Sequence, residues 1–328
     1  MNSLLPATVA GGFTTAKKIA SKYLALSMAA SLLTFAATAQ TYTTKKAGNW
    51  SSASTWENGN IPSTTIGTGQ TVNIKHAVLY NTNTDLSISG KLNITNDTLR
   101  FPLGFDKKTL VAATGLFYVK NGGFLQIISD NKAPMEIDGG RIILENGYLG
   151  ISKNVVAKPG TVRTYKNSVV RVGEKYEVDG TSTKRNIDTV LNSYVEIGLN
   201  STGDFEIKDY CTLRVSNATM TTTKGKFKVN ANAEVKVLPN AAGNFGFDLL
   251  KAGEDLENDG AWDARIDAYC IGKDIKGSNM AAIDFTRDED CNDIAQTGEL
   301  TEIAFSNPVL KSGTAKKEGA VYRFANVT

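Results

Sequence analysis

Histidine occurs once among the 328 residues, at His76 between Lys75 and Ala77. Any Ser-His-Asp chemistry would have to be built on that side chain, and no Gly-x-Ser-x-Gly elbow accompanies it. A lone histidine in a strand-like run reads as a surface or turn residue before it reads as a general base. Cysteine is nearly as scarce. Cys211, Cys270 and Cys291 form no CxxC pair and no His/Cys cluster, so a zinc ligand set is lacking. Beyond the N-terminus no run is apolar enough to cross a bilayer. Adjacent Asp-Asp pairs are missing between 72 and 240, where acids alternate with Lys and Arg as on solvated faces. Glycosidase-type carboxylates must converge at about 5–10 Å, and nothing in this pattern brings two together.

What is present starts with an export-type N-terminus. Lys17, Lys18 and Lys22 precede the apolar stretch Leu24 to Ala36, and Ala37-Thr38-Ala39 offers the small-x-small pattern of a signal-peptide cleavage site. Residues 1–39 are therefore expected to be a signal peptide and Gln40 the first mature residue, which predicts a secreted or cell-surface protein. Without the three lysines of that segment the formal charge falls from +3 to zero. A neutral chain argues against nucleic acid or an anionic membrane as a partner. The charge is unevenly placed, however. Residues 40–240 carry 24 Lys+Arg against 17 Asp+Glu, and residues 241–328 carry 9 against 16. A basic body joined to an acidic end suggests two modules and invites head-to-tail association of copies.

Residues 40–70, rich in Thr, Ser, Asn and Gly, read as a lead-in and N-terminal cap. From Val72 short alternating runs follow, such as Val72-Asn73-Ile74, Leu92-Asn93-Ile94 and Tyr194-Val195-Glu196-Ile197. Asn121-Gly122-Gly123, Asp138-Gly139-Gly140 and Asn146-Gly147 punctuate them as turns. Gly203-Asp204-Phe205-Glu206-Ile207 returns as Gly225-Lys226-Phe227-Lys228-Val229, and Leu213-Arg214-Val215 returns as Val235-Lys236-Val237, both 22 residues later. Fainter echoes at the same distance link Ile94 to Leu116 and Tyr148 to Val170. A fixed period of this length marks a solenoid whose coils stack on one another. The expected fold is all-β: a right-handed parallel β-helix of seven or eight coils over 71–240, with an acidic C-terminal capping module over 241–328. A β-sandwich is the alternative, but it needs no such repeat.

Residues 49–94 carry Asn49-Trp50-Ser51-Ser52, Thr55-Trp56, Gly59, Pro62, Gly69-Gln70-Thr71-Val72-Asn73-Ile74 and Gly90-Lys91-Leu92-Asn93-Ile94. This stretch resembles the opening of G8-type domains and of right-handed parallel β-helix surface proteins exported by Gram-negative bacteria. The resemblance implies a Trp-Trp-Gly-Pro lead-in that caps the first coil, "Gly-x-Leu-x-Ile" coils after it, and a surface protein that is adhesive or sugar-related.

Three sets of residues are candidates for sites. Trp50, Trp56 and Trp262, with Tyr80, are aromatics able to stack on sugar rings, which would make cell-surface glycans the ligand; the first two equally suit the cover of an open coil. Asp255, Glu257, Asp259 and Asp263 place oxygens at alternate positions around Gly260, like the start of an EF-hand loop, so calcium is the one cofactor raised. Ile266 stands where the twelfth-position ligand belongs. Cys270 and Cys291 are candidates for a disulfide closing a loop of about 20 residues, worth about 3 kcal/mol. Cys211, between apolar neighbours, reads as a buried thiol. Together these features predict a non-catalytic structural or adhesive surface protein able to assemble into fibres, with a carbohydrate-binding module or a β-helix polysaccharide lyase or hydrolase as the alternative.

Overall fold

In the computed structural model the described residues are 39–200, 202–238 and 246–288, with the backbone of 304–305, 315–318 and 321–324. The expected signal peptide, apart from Ala39, lies outside them. The chain from Gln40 onward forms one compact unit.

The fold is a parallel β-solenoid. Three parallel sheets of ten, eleven and eleven strands run side by side, and as far as Ile275–Gly277 the chain visits them in rotation. Sheet I begins with Thr41–Thr43, sheet II with Gly48–Asn49 and sheet III with Thr65–Ile66, and each circuit up to that point lays one strand on every sheet; Asp284–Asp288 then joins sheet II directly. The alternation seen in the sequence is the cause. In Lys91–Thr95, Leu92 and Ile94 are buried while Lys91, Asn93 and Thr95 are not. Neighbouring coils repeat that phase, so every coil adds apolar side chains to a single column of core. At about 4.8 Å per coil, ten coils make a body on the order of 45 Å long.

The register confirms the strongest repeat. Phe205 pairs with Phe227, and Leu213 with Val235, each on the neighbouring strand. The rings of Tyr176, Phe205 and Phe227 stack at 5.3 and 5.2 Å. The fainter echoes are not in register. Ile94 pairs with Val119, and Tyr148 with Val169. Coil length is not fixed, running from 19 residues between Leu256 and Ile275 to 30 between Thr41 and Thr71. The variation lies largely in two of the three corners, whereas, in every coil but the one between Val237 and Phe247, the corner from sheet I to sheet II is short and repetitive. There Asn96, Asn121, Asn146, Asn167, Asn192 and Asn217 all take positive φ, a left-handed conformation that asparagine tolerates better than most residues. Their backbones bond from coil to coil, and Asn217 Nδ2 donates to Asn192 Oδ1 at 3.1 Å.

The coils extend past 71–240 at both ends. Thr41–Thr43 pairs with Thr71–Ile74, so the lead-in supplies the first coil. Residues 247–277 continue all three sheets instead of starting a separate module. Their acids had suggested a different unit because they occupy the outward positions of otherwise ordinary strands. Val321–Phe324 pairs antiparallel with Ala315–Glu318, apart from the three parallel sheets.

Candidate functional site

The sequence-derived candidates fall in places that change their meaning. Trp50 and Trp56 are 1% and 0% exposed. Trp50 Nε1 donates to Pro62 O at 3.1 Å, and Trp56 Nε1 to Trp50 O at 2.8 Å. Their rings meet edge-on at 5.2 Å, and Trp50 continues into Tyr80 at 5.3 Å. They close the N-terminal end of the core. Trp262 is 6% exposed, stacks on Phe247 at 5.7 Å and pairs with Val235 in the inner column. A sugar-stacking ring needs an open face, and these three rings are enclosed, as is Tyr80. Their apolar area was the legible part; its direction depends on a register that only the fold supplies.

The carboxylates proposed for calcium are engaged with lysines. Asp255 and Glu257 lie on the outer side of sheet III among lysines of the adjoining coils. Lys226 Nζ reaches Asp255 at 3.1 Å and Glu257 at 2.8 Å, and Lys276 Nζ reaches the same two at 2.9 and 3.3 Å. Burial pushes the Asp255 carboxyl up, but hydrogen bonds from Lys276, Lys226 and the Asp274 N–H outweigh it and hold the group below its ordinary value. Asp259 accepts from Ser278 N and Oγ, both at 2.8 Å. Asp263 belongs to a strand of sheet I. The segment is two strands and a corner rather than a loop folded around an ion. Among the described residues no three His, Cys, Asp or Glu side chains gather as a metal site would require. Cys270 is disulfide-bonded and Cys211 is a free buried thiol; Cys291 lies outside the described residues. Burial pushes the Cys211 thiol up to about 12, which keeps it unreactive. His76 Nδ1 lies 3.0 Å from Thr44 O, a structural contact at the first coil.

Two groupings were not foreseen. The first is inside. On the inner column of sheet I, Ile142, Arg163, Asp188 and Leu213 follow one another in register. Arg163 and Asp188 form a bidentate ion pair within the core, their side chains 0% and 6% exposed. The guanidinium sits 4.6 Å from the centre of the Tyr176 ring, and the Tyr165 and Tyr176 hydroxyls meet at 2.5 Å. Burial raises Asp188 above its ordinary value and Arg163 opposes that; burial also pushes Tyr165 up to about 12.

The second is outside, on sheet II. Phe124, Tyr148, Val169 and Tyr194 pair successively, one per coil, as an outward column. The neighbouring outward column runs Arg100, Gln126, Gly150, Arg171 and Glu196. Phe124 and Tyr148 meet edge-to-face at 4.4 Å. Gly150 makes room for them: a Cβ there would lie 3.0 Å from the Tyr148 ring and 3.4 Å from Phe124. Arg171 Nε reaches Glu196 at 3.0 Å. A hydrogen bond to Tyr148, then Glu196, holds the Arg171 guanidinium above its ordinary value. Burial, then Glu196, raises Tyr194. Tyr148 and Tyr194 thus lie on the coils either side of the strand that carries Arg171, and Arg100 is exposed with no ion-pair partner among the described residues. The sequence held a signal for this column: Asn146-Gly-Tyr148 and Asn192-Ser-Tyr194 each put an aromatic two residues past the corner asparagine.

With this geometry in hand, comparison adds no relative: the chain matches no family model, no curated protein and no solved structure. Among the described residues no helix is long and apolar enough to cross a membrane.

Proposed function

We propose that the chain is an exported surface protein that works by contact, as a structural or adhesive element, and not by catalysis. The outer face of sheet II carries this reading. A half-exposed, largely aromatic column bordered by arginine and glutamine lies on a body whose strands are hydrogen-bonded coil to coil. Ordered, partly apolar surface rimmed by polar groups is what a contact face needs. The export-type N-terminus and the G8-like lead-in point the same way. Beads coated with the mature chain should adhere to cell surfaces, and beads coated with a Phe124→Ser/Tyr148→Ser/Tyr194→Ser variant should not. Equal adherence overturns the reading.

Head-to-tail association belongs to the same proposal, but its electrostatic drive is smaller than the charge counts imply. Lys226 of the basic block already pairs with Asp255 and Glu257 of the acidic block within one molecule. Light scattering across a salt series measures what is left. Mass rising as salt falls supports stacking, and a constant monomer mass removes it.

A further inference from the structure

The geometry points to a linear polysaccharide as the ligand of the sheet II face, laid along the stack of coils across Phe124, Tyr148, Val169 and Tyr194. The inference rests on the contact face proposed above and names what it holds.

Three observations select this ligand class. The first is periodicity. One outward residue per coil gives a repeat of about 4.8 Å, close to the length of one sugar residue in an extended pyranose chain, so successive sugars meet equivalent positions. The second is pairing of chemistries. A pyranose ring has an apolar face and a hydroxyl edge. Two rings of the aromatic column stand beside a hydrogen-bonding group of the neighbouring column, Phe124 beside Gln126 and Tyr194 beside Glu196, and Arg171 lies one coil on from Tyr148. A protein partner would favour a patch low in charge, whereas here the Arg171–Glu196 pair borders two of the four coils of the stripe. The third is pre-organisation. Phe124 and Tyr148 already meet edge-to-face, Glu196 already holds Arg171, and Gly150 leaves the space into which the two rings lean. Little ordering cost remains for the ligand to meet. Arg100, exposed beside this column, favours chains bearing carboxylates.

The test is titration calorimetry of the mature chain with cello-oligosaccharides and with oligogalacturonates of increasing length. Affinity should grow with length until about four sugars span the stripe, as the coil spacing requires. Tyr148→Ser and Tyr194→Ser should each weaken binding about tenfold, and Gly150→Leu should weaken it by displacing the rings. Arg100→Gln should weaken binding of the oligogalacturonates alone. Glu177→Gln, on the outer face of sheet III, should change nothing. Circular dichroism and melting identical to the parent show that each variant is folded. The inference fails if neither sugar series binds, or if folded Tyr148→Ser and Tyr194→Ser variants bind as the parent does. It also fails if a concentration-dependent dimer disappears in Tyr148→Ser, because a second copy then covers the face. If bead adherence is lost in the triple variant while no oligosaccharide binds, the contact reading stands and the ligand class falls. If adherence is also unchanged, both fall.

Discussion

Two ion-pair groups use the same chemistry in opposite settings. Arg163 and Asp188 lie inside the solenoid, where Ile142 and Leu213 bracket them in the column. Lys226, Lys276, Asp255 and Glu257 lie on the outer side of sheet III, with the lysine side chains 33% and 39% exposed. Inside, each charge has lost its water and has little but the other to replace it; Arg163 Nη1 has no hydrogen-bond partner at all. Outside, each carboxylate has two lysines, and although the Asp255 side chain is only 6% exposed, those lysines keep about a third or more of theirs in solvent. The comparison teaches that geometry alone does not rank these pairs: burial makes the first indispensable as a unit and leaves the second replaceable member by member.

The comparison breaks most easily at the inner pair. Arg163→Met alone should destabilise by about 3–5 kcal/mol, because it strands the Asp188 carboxylate in the core. Adding Asp188→Leu should return most of that loss. Denaturant unfolding of the two variants checks it, and a double variant as unstable as the single one would mean that the pair stabilises beyond mutual compensation. Alkali should act on the same region. Tyr165, raised to about 12 by burial, binds its proton more tightly in the folded chain than in the unfolded one. Its contribution is complete below the unfolded value near 10 and is lost as pH rises toward 12, about 3 kcal/mol in all. Stability measured between pH 9 and about 12 should fall accordingly, and a Tyr165→Phe variant should fall less.

The outer group should respond weakly. Lys226→Met should cost about 1 kcal/mol or less, since Lys276 still faces Asp255 and Glu257, and the cost should shrink in high salt. Acid should unpick it too. Asp255 is held below its ordinary value, so its contribution is present above the unfolded value near 4 and is lost as pH falls through the lower folded one. Unfolding in mild acid should therefore show a smaller slope in Asp255→Asn than in the parent.

These contrasts mark how much was legible beforehand. Strand alternation and the paired 22-residue echoes gave the coils and one true register, because Phe205 and Phe227 sit in coils with equal corners. Ile94 and Leu116 misled because the intervening corner is longer and shifts the pairing to Val119. Arg163 and Asp188 were read as outward because charge ordinarily is. Only the pairing of one coil with the next reveals that Val162-Arg163-Thr164-Tyr165 runs in the opposite phase, with Arg163 and Tyr165 inside. The tryptophans were legible as large apolar groups and not as end closures. The sheet II column was spelled out in the sequence, but its direction follows from the corner asparagines, whose shared role appears once they are seen stacked.

The row of asparagine corners has a consequence for the growth of such a molecule. Because the step from sheet I to sheet II is nearly the same in most successive coils, the stretch between Val237 and Phe247 excepted, while the other two corners absorb most other changes in length, a coil is a cassette. Duplicating a 25-residue unit such as Leu116 to Gly140, which ends where Arg141 takes up the register, would lengthen the body by one layer and leave the packing of every other layer as it was. The length of the body can thus change by whole increments through gene duplication, without a new core having to be invented.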